Sequence, residues 1–551
     1  MNITKIIAAP DSITICLDEP FSGNLQVIAS VPLTCGDPGA DFTPGRKIFN
    51  RILPATDGKV SFGRFENGYD MLICRFHTSA YTDGNCGCTA VASTFCATPV
   101  GGVSFVTDFS ADFSRYDYDY PTPARPIGTW ITATPEDIDY LRFGYMMNEL
   151  DQAWLMTIHP EEDDIPHVWN GKTYYFSREI VEETDRGMAV AANKKLPCLI
   201  RFINRFHYRL RDGDPELFSI ISHPGYEHDF KGVEMSAVNL RTEEGLNFYC
   251  ACLDFLFQRY CDPENEKGWS VMMDVGNEVN SQRIWHNAGP MSCEGFMEEY
   301  TVALRLAWLL SHQYYAHHRI NISLEQNFTS PHLEEHDRYY SARECLIHLV
   351  KCCHRDGNFD WGVAAHPYPE NLSYPDFYND RSAAFSFNAK KITLKNMEAW
   401  PAFLGRPEFL YRGQLRHIIF DEQGFNTRDD APYTEEQGAY AFVLAYLKMR
   451  KQPNIDLMLI HRYVDIPFNE EYGLNLGLRR SLGYADDLHL FAIPGPHKMI
   501  CDAIRAMDSP REEAWVRAAR NYIGPALFDA VLNPPHIDEG DLKELITNFE
   551  V

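Results

Sequence analysis

The chain has 551 residues, more than one hydrophobic core of ordinary size accommodates, so we expect a large domain and at least one smaller one. Hydrophobic residues make up 45% and charged residues 23% of the sequence, which excludes a disordered or fibrous chain. The formal net charge of −27 disfavours nucleic acid and anionic membranes as partners, because both require a positively charged footprint.

The number and spacing of the cysteines and the N-terminal sequence indicate a reducing compartment. The 15 cysteines are odd in number and scattered, so we expect free buried thiols rather than a disulfide framework. Neither close pair, Cys86 with Cys88 or Cys352 with Cys353, has the C-x-x-C spacing of a structural zinc site. No signal peptide and no long apolar window is present, so we expect a cytoplasmic protein without a membrane span.

The first 125 residues are predicted to form an all-β sandwich domain. Segments rich in β-branched and aromatic residues alternate there with turns that contain proline, glycine and aspartate. A stretch with three prolines, 112–126, lacks periodicity and is interpreted as the linker into the next domain. The sandwich could bind glycan, but we favour a structural role beside the larger domain. The predicted strands are 3–19, 24–32, 59–65 and 70–80.

Residues 126–551 are predicted to form a (β/α)8 barrel with a C-terminal extension. Eight apolar runs that end in polar residues alternate with amphipathic helices over about 340 residues, and such runs are typical of parallel strands covered on both faces. A doubly wound sheet is the alternative, but no G-x-G-x-x-G follows a first strand. The predicted strands are 139–146, which is weak, then 153–158, 196–203, 269–278, 319–328, 359–368, 416–424 and 456–465. The predicted helices between them include 176–195, 242–260, 294–316, 339–353 and 435–451.

Polar residues at the carboxyl ends of barrel strands line the active site of this fold. The fourth predicted strand ends in Asn277-Glu278 and the seventh in Asp421-Glu422. Two carboxyl groups about 5–5.5 Å apart, one protonated and one ionised, are what retaining glycoside hydrolysis requires. The pattern alone does not choose between Asp421 and Glu422, although alternation along a strand predicts that one of them turns away from the interior. Glu325, which ends the fifth strand, is a further candidate.

These strand ends resemble the motifs of the clan A retaining glycoside hydrolases. The pair Asn277-Glu278 is similar to the clan's Asn-Glu pair, and Glu422 stands where the clan has its nucleophile. His366-Pro367-Tyr368 resembles the clan's His-x-Tyr on strand six. GNEVN, HPYPE, EQGF and LNLGL resemble more closely an uncharacterised bacterial family related to this clan, over roughly residues 130–480.

The resemblance implies a retaining glycosidase that acts on a β-linked sugar. Glu278 would be the acid/base and Glu422 the nucleophile. Asn277 would hydrogen-bond the sugar 2-hydroxyl, and Tyr368 would orient Glu422. On strand eight the clan often has a tryptophan beneath the sugar, where this chain has His461 and Tyr463 instead.

Other substrate-binding candidates are weaker. Trp285 could stack on a sugar or simply anchor the loop that follows Glu278. Asn204, Arg205 and His207, after the third strand, could bind sugar hydroxyls or form a solvated loop. The substrate-binding residues that we predict are Asn277, Trp285, His366, Tyr368 and His461.

The expected partner is a carbohydrate, with no metal and no cofactor. Neither H-E-x-x-H nor G-x-S-x-G occurs, which disfavours a zinc protease and the usual serine hydrolase. Two alternatives stay open: a carbohydrate-binding barrel that has lost catalysis, and a metal-dependent hydrolase on the same fold.

Overall fold

A computed structural model gives the fold. It describes residues 1–36, 45–81, 97–208, 211–212, 214–230, 232, 235–452, 454–466, 473–485 and 492–540. The predicted pair Cys86 and Cys88 lies outside these residues. Eleven of the cysteines inside them are buried free thiols, as the sequence predicts.

The N-terminal region is an all-β domain, as predicted. Its sheet is mixed, because the last two strands run parallel to the first strand. Phe49 and Phe62, on the two end strands, stack with their ring centroids 4.9 Å apart, so the sheet curls over a shared apolar core. The strands are Asn2–Ala8, Ser12–Leu17, Gly23–Ser30, Lys47–Ala55, Lys59–Gly63, Arg75–Tyr81, Ala97–Gly102 and Asp108–Phe109, and Phe65–Glu66 pairs separately with Tyr69–Asp70.

The second region is a closed barrel of eight parallel strands, which confirms the predicted fold class. Three of these strands are buried along their whole length and the other five over most of their residues, because barrel side chains cover one face and helices the other. Each strand pairs with the next in sequence, and the eighth closes on the first. The strands are Ile127–Trp130, Tyr145–Asp151, Cys198–Ile203, Ser270–Val275, Arg319–Glu325, Trp361–His366, Ile418–Gln423 and Ile455–Ile460.

The first two strands differ from the prediction. Ile127–Trp130 is the first strand and has only four residues, too few to give a periodic signal. Its Gly128 lies so close to the neighbouring strand that a Cβ would be 2.0 Å from the Tyr145 carbonyl oxygen. The run predicted as strand two forms instead the helical turn Gln152–Leu155 and a short edge strand, Met156–Thr157. Strand two therefore ends at Asp151, whose side chain caps that turn.

Helices surround the barrel and also support the N-terminal domain. Phe109 of that domain packs on Trp308 with ring centroids 4.9 Å apart, and Arg75 forms a buried ion pair with Asp356. The helices are Pro135–Leu141, Gln152–Leu155, Arg178–Ala192, Pro215–Ile221, Glu243–Tyr260, Gln282–Trp285, Cys293–Tyr314, Ala342–Asp356, Ala399–Leu404, Tyr433–Met449, Met499–Ala506, Glu512–Ile523 and Pro525–Leu532.

Smaller sheets complete the described structure. One contains Met156–Thr157, Ile165–Trp169 and Lys172–Phe176, the second pairs His207–Tyr208 with Arg211–Asp212, and the third pairs Arg479–Tyr484 with Ala492–His497. Within the described ranges, no helix combines the length and the apolarity that a membrane crossing requires. That residues 1–125 and 126–551 form two separate domains remains a prediction.

Candidate active site

Glu278 stands at the mouth of the barrel, just beyond the fourth strand. The chain turns sharply there: Gly276 has φ of 83° and Glu278 has φ of 38°, a left-handed conformation that is uncommon for a residue with a side chain. The Glu278 amide is held by a 3.0 Å hydrogen bond to Ser323 Oγ on the fifth strand. Burial raises the pKa of Glu278 to about 7, against the opposing effect of its hydrogen bond with His366. A substantial fraction of this carboxyl is therefore protonated at neutral pH.

Glu422 lies at the end of the seventh strand and has the opposite electrostatic environment. Tyr368 donates a hydrogen bond to its Oε1 at 3.2 Å, and Arg201 donates one to its Oε2. Burial acts to raise the pKa of Glu422, but the neighbouring His461, Arg201 and His366 hold it well below the usual range. Glu422 is therefore ionised at neutral pH.

The two glutamates face each other across the barrel mouth. One carboxylate oxygen of Glu278 and one of Glu422 lie within 4.8 Å of each other, and within the same distance of a His366 nitrogen. Their side chains are 12% and 13% exposed, so both reach the space above the barrel. This spacing suits direct attack by one carboxylate on a substrate held between them, because an inverting pair needs about 6.5–9.5 Å to admit a water.

His366 joins the two sides of the site from below. This fully buried imidazole contacts Glu278 Oε1 through Nδ1 at 2.8 Å and Asp421 Oδ2 through Nε2 at 3.3 Å. Burial lowers the pKa of His366, but Asp421 and Glu422 outweigh that effect and hold it well above the usual range. As an imidazolium, His366 donates through both nitrogens. It therefore leaves the second oxygen of Glu278 available for a substrate.

Arg201, on the third strand, is a site residue that the sequence did not reveal. Its guanidinium is buried and donates to both Asp421 Oδ2, at 2.6 Å, and Glu422 Oε2. The prediction that one of these neighbouring carboxylates turns away from the interior is wrong, since both contact the same guanidinium. The cause is an irregularity of register between Phe420 and Gln423, where strict alternation is lost.

Asp274, one layer deeper on the fourth strand, is also buried and was not predicted. Its Oδ1 accepts a 2.9 Å hydrogen bond from Asn321. Burial raises the pKa of Asp274 well above the usual range, and the charge of Asp421 adds to that effect. Arg201 and His366 thus place two positive charges beside Asp421 and Glu422, while burial favours the uncharged form of Asp274.

The rim of the site carries hydrogen-bonding and aromatic groups. Asn277 is buried, and its Oδ1 has no hydrogen-bond partner among the described residues. His461 lies 4.0 Å from Glu422 Oε1, and its ring meets that of Trp130 edge-on with centroids 5.5 Å apart. Trp130 ends the first strand and is half-buried. The sequence did not reveal this aromatic residue, because it places the first strand at 139–146 instead. Trp285 is half-buried at the end of its short helix and stays a prediction.

Several other candidates have structural contacts. Glu325 is buried and accepts 2.6 Å hydrogen bonds from Ser281 and Asn327, but its charge also acts to raise the pKa of Glu278. Tyr463 donates a hydrogen bond to Asp137 at 2.6 Å rather than to Glu278 or Glu422. The remaining weak candidates are Asn204, which donates to the Ile221 carbonyl, Arg205, which pairs with Glu149, and His207, whose side chain lies outside the described residues.

The close grouping of Glu278, His366 and Glu422 raises the question of a metal ion. Their ligand atoms lie close enough to share one. However, a cation there would stand beside the Arg201 guanidinium, which already pairs with Glu422, and like charges repel. Both nitrogens of His366 are also already engaged, Nδ1 with Glu278 Oε1 and Nε2 with Asp421 Oδ2. The donor set therefore does not fit a catalytic metal.

Fold and site together describe a (β/α)8 barrel with two glutamates of opposite ionisation at its mouth. Residues 127–531 match the profile described as "Family of unknown function (DUF5722)", and the chain belongs to this family. A search of the curated proteins gives no match.

Solved structures similar to this chain include three glycoside hydrolases. A family 39 enzyme from the gut symbiont Bacteroides cellulosilyticus shares 13% identity over 93% of this chain and 83% of its own, with a TM-score of 0.42. A GH5_18 protein from Bifidobacterium longum subsp. infantis shares 12% over 71% and 80%, with a TM-score of 0.43. A GH5_18 protein from Streptomyces cattleya, in complex with GlcNAc, shares 13% over 75% and 91%, with a TM-score of 0.43.

Proposed function

We propose that this protein is a retaining glycoside hydrolase that cleaves a β-linked glycoside or oligosaccharide. The observation that carries the proposal is the pair Glu278 and Glu422, whose carboxylate oxygens approach within 4.8 Å while their pKa values are shifted in opposite directions. Such a pair supplies one acid and one nucleophile at the same pH. The β configuration follows from the resemblance of the site motifs to clan A.

In the first step, the ionised Glu422 attacks the anomeric carbon while Glu278 donates its proton to the departing glycosidic oxygen. The bond to that oxygen breaks, and a glycosyl ester of Glu422 forms. Tyr368 and Arg201 hold the attacking carboxylate through their hydrogen bonds, which fixes its direction before the substrate arrives.

In the second step, Glu278 acts as a base. It removes a proton from water, whose oxygen attacks the anomeric carbon and releases Glu422 as a carboxylate. Two inversions give net retention of configuration. The free Oδ1 of Asn277 would accept a hydrogen bond from the sugar 2-hydroxyl, and Trp130, whose ring lies beside His461, would offer an aromatic surface to the sugar.

Specific observations disfavour both alternatives. A metal-dependent hydrolase is disfavoured by Arg201 and by the engaged nitrogens of His366, as argued above. A barrel without catalytic function has no need of two glutamates with opposed ionisation, which burial of Glu278 and the positive charges around Glu422 produce.

The test is a panel of aryl β-glycosides with the anomeric configuration of the first product read by proton NMR. We expect release of the β anomer before mutarotation, from wild-type protein but not from Glu422→Gln prepared in the same way. Initial release of the α anomer would overturn the retaining mechanism. Equal activity of the variant would show that the active site lies elsewhere.

A further inference from the structure

A second cluster of ligand-type side chains lies outside the barrel mouth, where two neighbouring helices begin. Cys293 opens helix Cys293–Tyr314, and Glu344 and His348 lie one turn apart on the same face of helix Ala342–Asp356. One ligand atom from each of these three residues lies within 4.8 Å of the other two. The Sγ atom of Cys345 is 3.8 Å from that of Cys293.

The distances suit a tetrahedral cation. Nitrogen, oxygen and sulfur ligands about 2.0–2.3 Å from a zinc ion lie about 3.3–3.8 Å apart when the geometry is tetrahedral. The three ligand atoms of Cys293, Glu344 and His348 lie within 4.8 Å of one another, so a small movement of side chains would bring them to one ion. The Glu344 carboxylate accepts a hydrogen bond from the Ser341 backbone amide, which leaves its other lone pairs for a ligand. The His348 imidazole makes no hydrogen bond or ion pair among the described residues.

We propose that Cys293, Glu344 and His348 bind one Zn²⁺ ion, with water as the fourth ligand. Thiolate and imidazole donors select zinc over magnesium or calcium, which prefer oxygen ligands alone. The absence of C-x-x-C spacing does not oppose this site, because its ligands come from two different helices.

The ion would connect the two loops that form one wall of the candidate active site. Helix Cys293–Tyr314 follows the loop that carries Glu278, and helix Ala342–Asp356 follows the loop after the fifth strand. These loops are already joined where the Met291 amide donates to the Asp337 carbonyl at 2.9 Å and the Tyr340 amide to the Asn280 carbonyl at 2.8 Å. Zinc at the helix starts would stabilise this wall without taking part in hydrolysis, so the inference is independent of the proposed function.

The experiment is a Co²⁺ titration of the full-length protein, reduced and stripped of metal. We expect one equivalent to produce the sulfur-to-cobalt charge-transfer absorption of thiolate ligation, and Zn²⁺ to displace it. His348→Ala and Cys293→Ser should each weaken Co²⁺ binding at least about tenfold. Loss of a residue that merely hydrogen-bonds a metal ligand already lowers metal affinity by about 10- to 100-fold, and loss of a ligand itself should cost no less. Cys352→Ser is the control, because it removes a buried thiol that lies on the helix of Glu344 and His348 but outside the three-residue cluster. Glu344 is exposed, so Glu344→Gln keeps the test valid if Cys293→Ser fails to fold.

Three results would overturn the proposal. The first is the lack of a charge-transfer band in reduced wild-type protein. The second is an affinity that is the same in wild type, His348→Ala and Glu344→Gln. The third is a disulfide between Cys293 and Cys345 in the protein as purified, found by peptide mapping without reductant and without bound zinc.

Discussion

Replacing Glu278 with alanine tests whether this carboxyl sets the alkaline limit of activity. With the ordinary glutamate pKa of 4.5, about one molecule in 300 would hold the catalytic proton at pH 7, whereas a pKa of about 7 leaves it on roughly half of them. A raised pKa keeps the acid form up to that pH, and the proton is lost as pH rises further. We therefore expect the wild-type kcat/KM to fall about tenfold per pH unit above about pH 7.

In Glu278→Ala the fall of kcat/KM above about pH 7, the alkaline limb, should disappear. With an unactivated leaving group kcat/KM should fall about 10²–10⁴-fold, the usual contribution of general acid catalysis. An activated aryl glycoside needs little protonation of its leaving oxygen, so its kcat/KM should fall much less. The assay is kcat/KM against pH for two aryl β-glycosides with leaving groups of high and low pKa.

Two other carboxyl groups with raised pKa values make control variants necessary. Burial also raises the pKa values of Asp151 and Asp380 to about 7, so a wild-type limb near pH 7 does not by itself identify Glu278. Asp151→Asn and Asp380→Asn should both retain the limb. A limb that persists in Glu278→Ala, or that vanishes in either asparagine variant, would refute the assignment.

Other predictions concern the partners of the reaction. In the presence of azide, Glu422→Ala should give the α-glycosyl azide and Glu278→Ala the β-glycosyl azide; the reverse pattern would mean that the two roles are exchanged. Tyr368→Phe removes a hydrogen bond to a charged oxygen and should lower kcat/KM about 10- to 100-fold, and an unchanged value would exclude an orienting role. Trp130→Ala should raise KM more than it lowers kcat, whereas Trp130→Phe should stay close to wild type; steady-state kinetics on one glycoside separate these effects. Removal of all metal should lower the unfolding midpoint but leave kcat/KM unchanged well below that temperature, and a loss of activity restored by Zn²⁺ would contradict the metal-free mechanism.

The sequence predicted those parts of the site that depend on local pattern. An apolar run that ends in a polar tip signals a barrel strand wherever the run is long enough, and strands three to eight were found in this way. Glu278, Tyr368 and Glu422 follow from those strand ends and from the resemblance of the motifs around them. The first strand escaped because four residues carry no periodicity, and Trp130 escaped with it.

Tertiary structure alone decided which charges meet. Arg201 lies inside a run read as apolar, and only the closed barrel brings it to Asp421 and Glu422, 220 and 221 residues away in sequence. The glutamate pKa values likewise depend on burial and on charges from other strands, which no local pattern records. The same holds for Cys293 and Cys345, which meet because neighbouring strands place their helices side by side. Strand and helix positions are properties of consecutive residues, whereas ionisation and ligation depend on distances that folding alone sets.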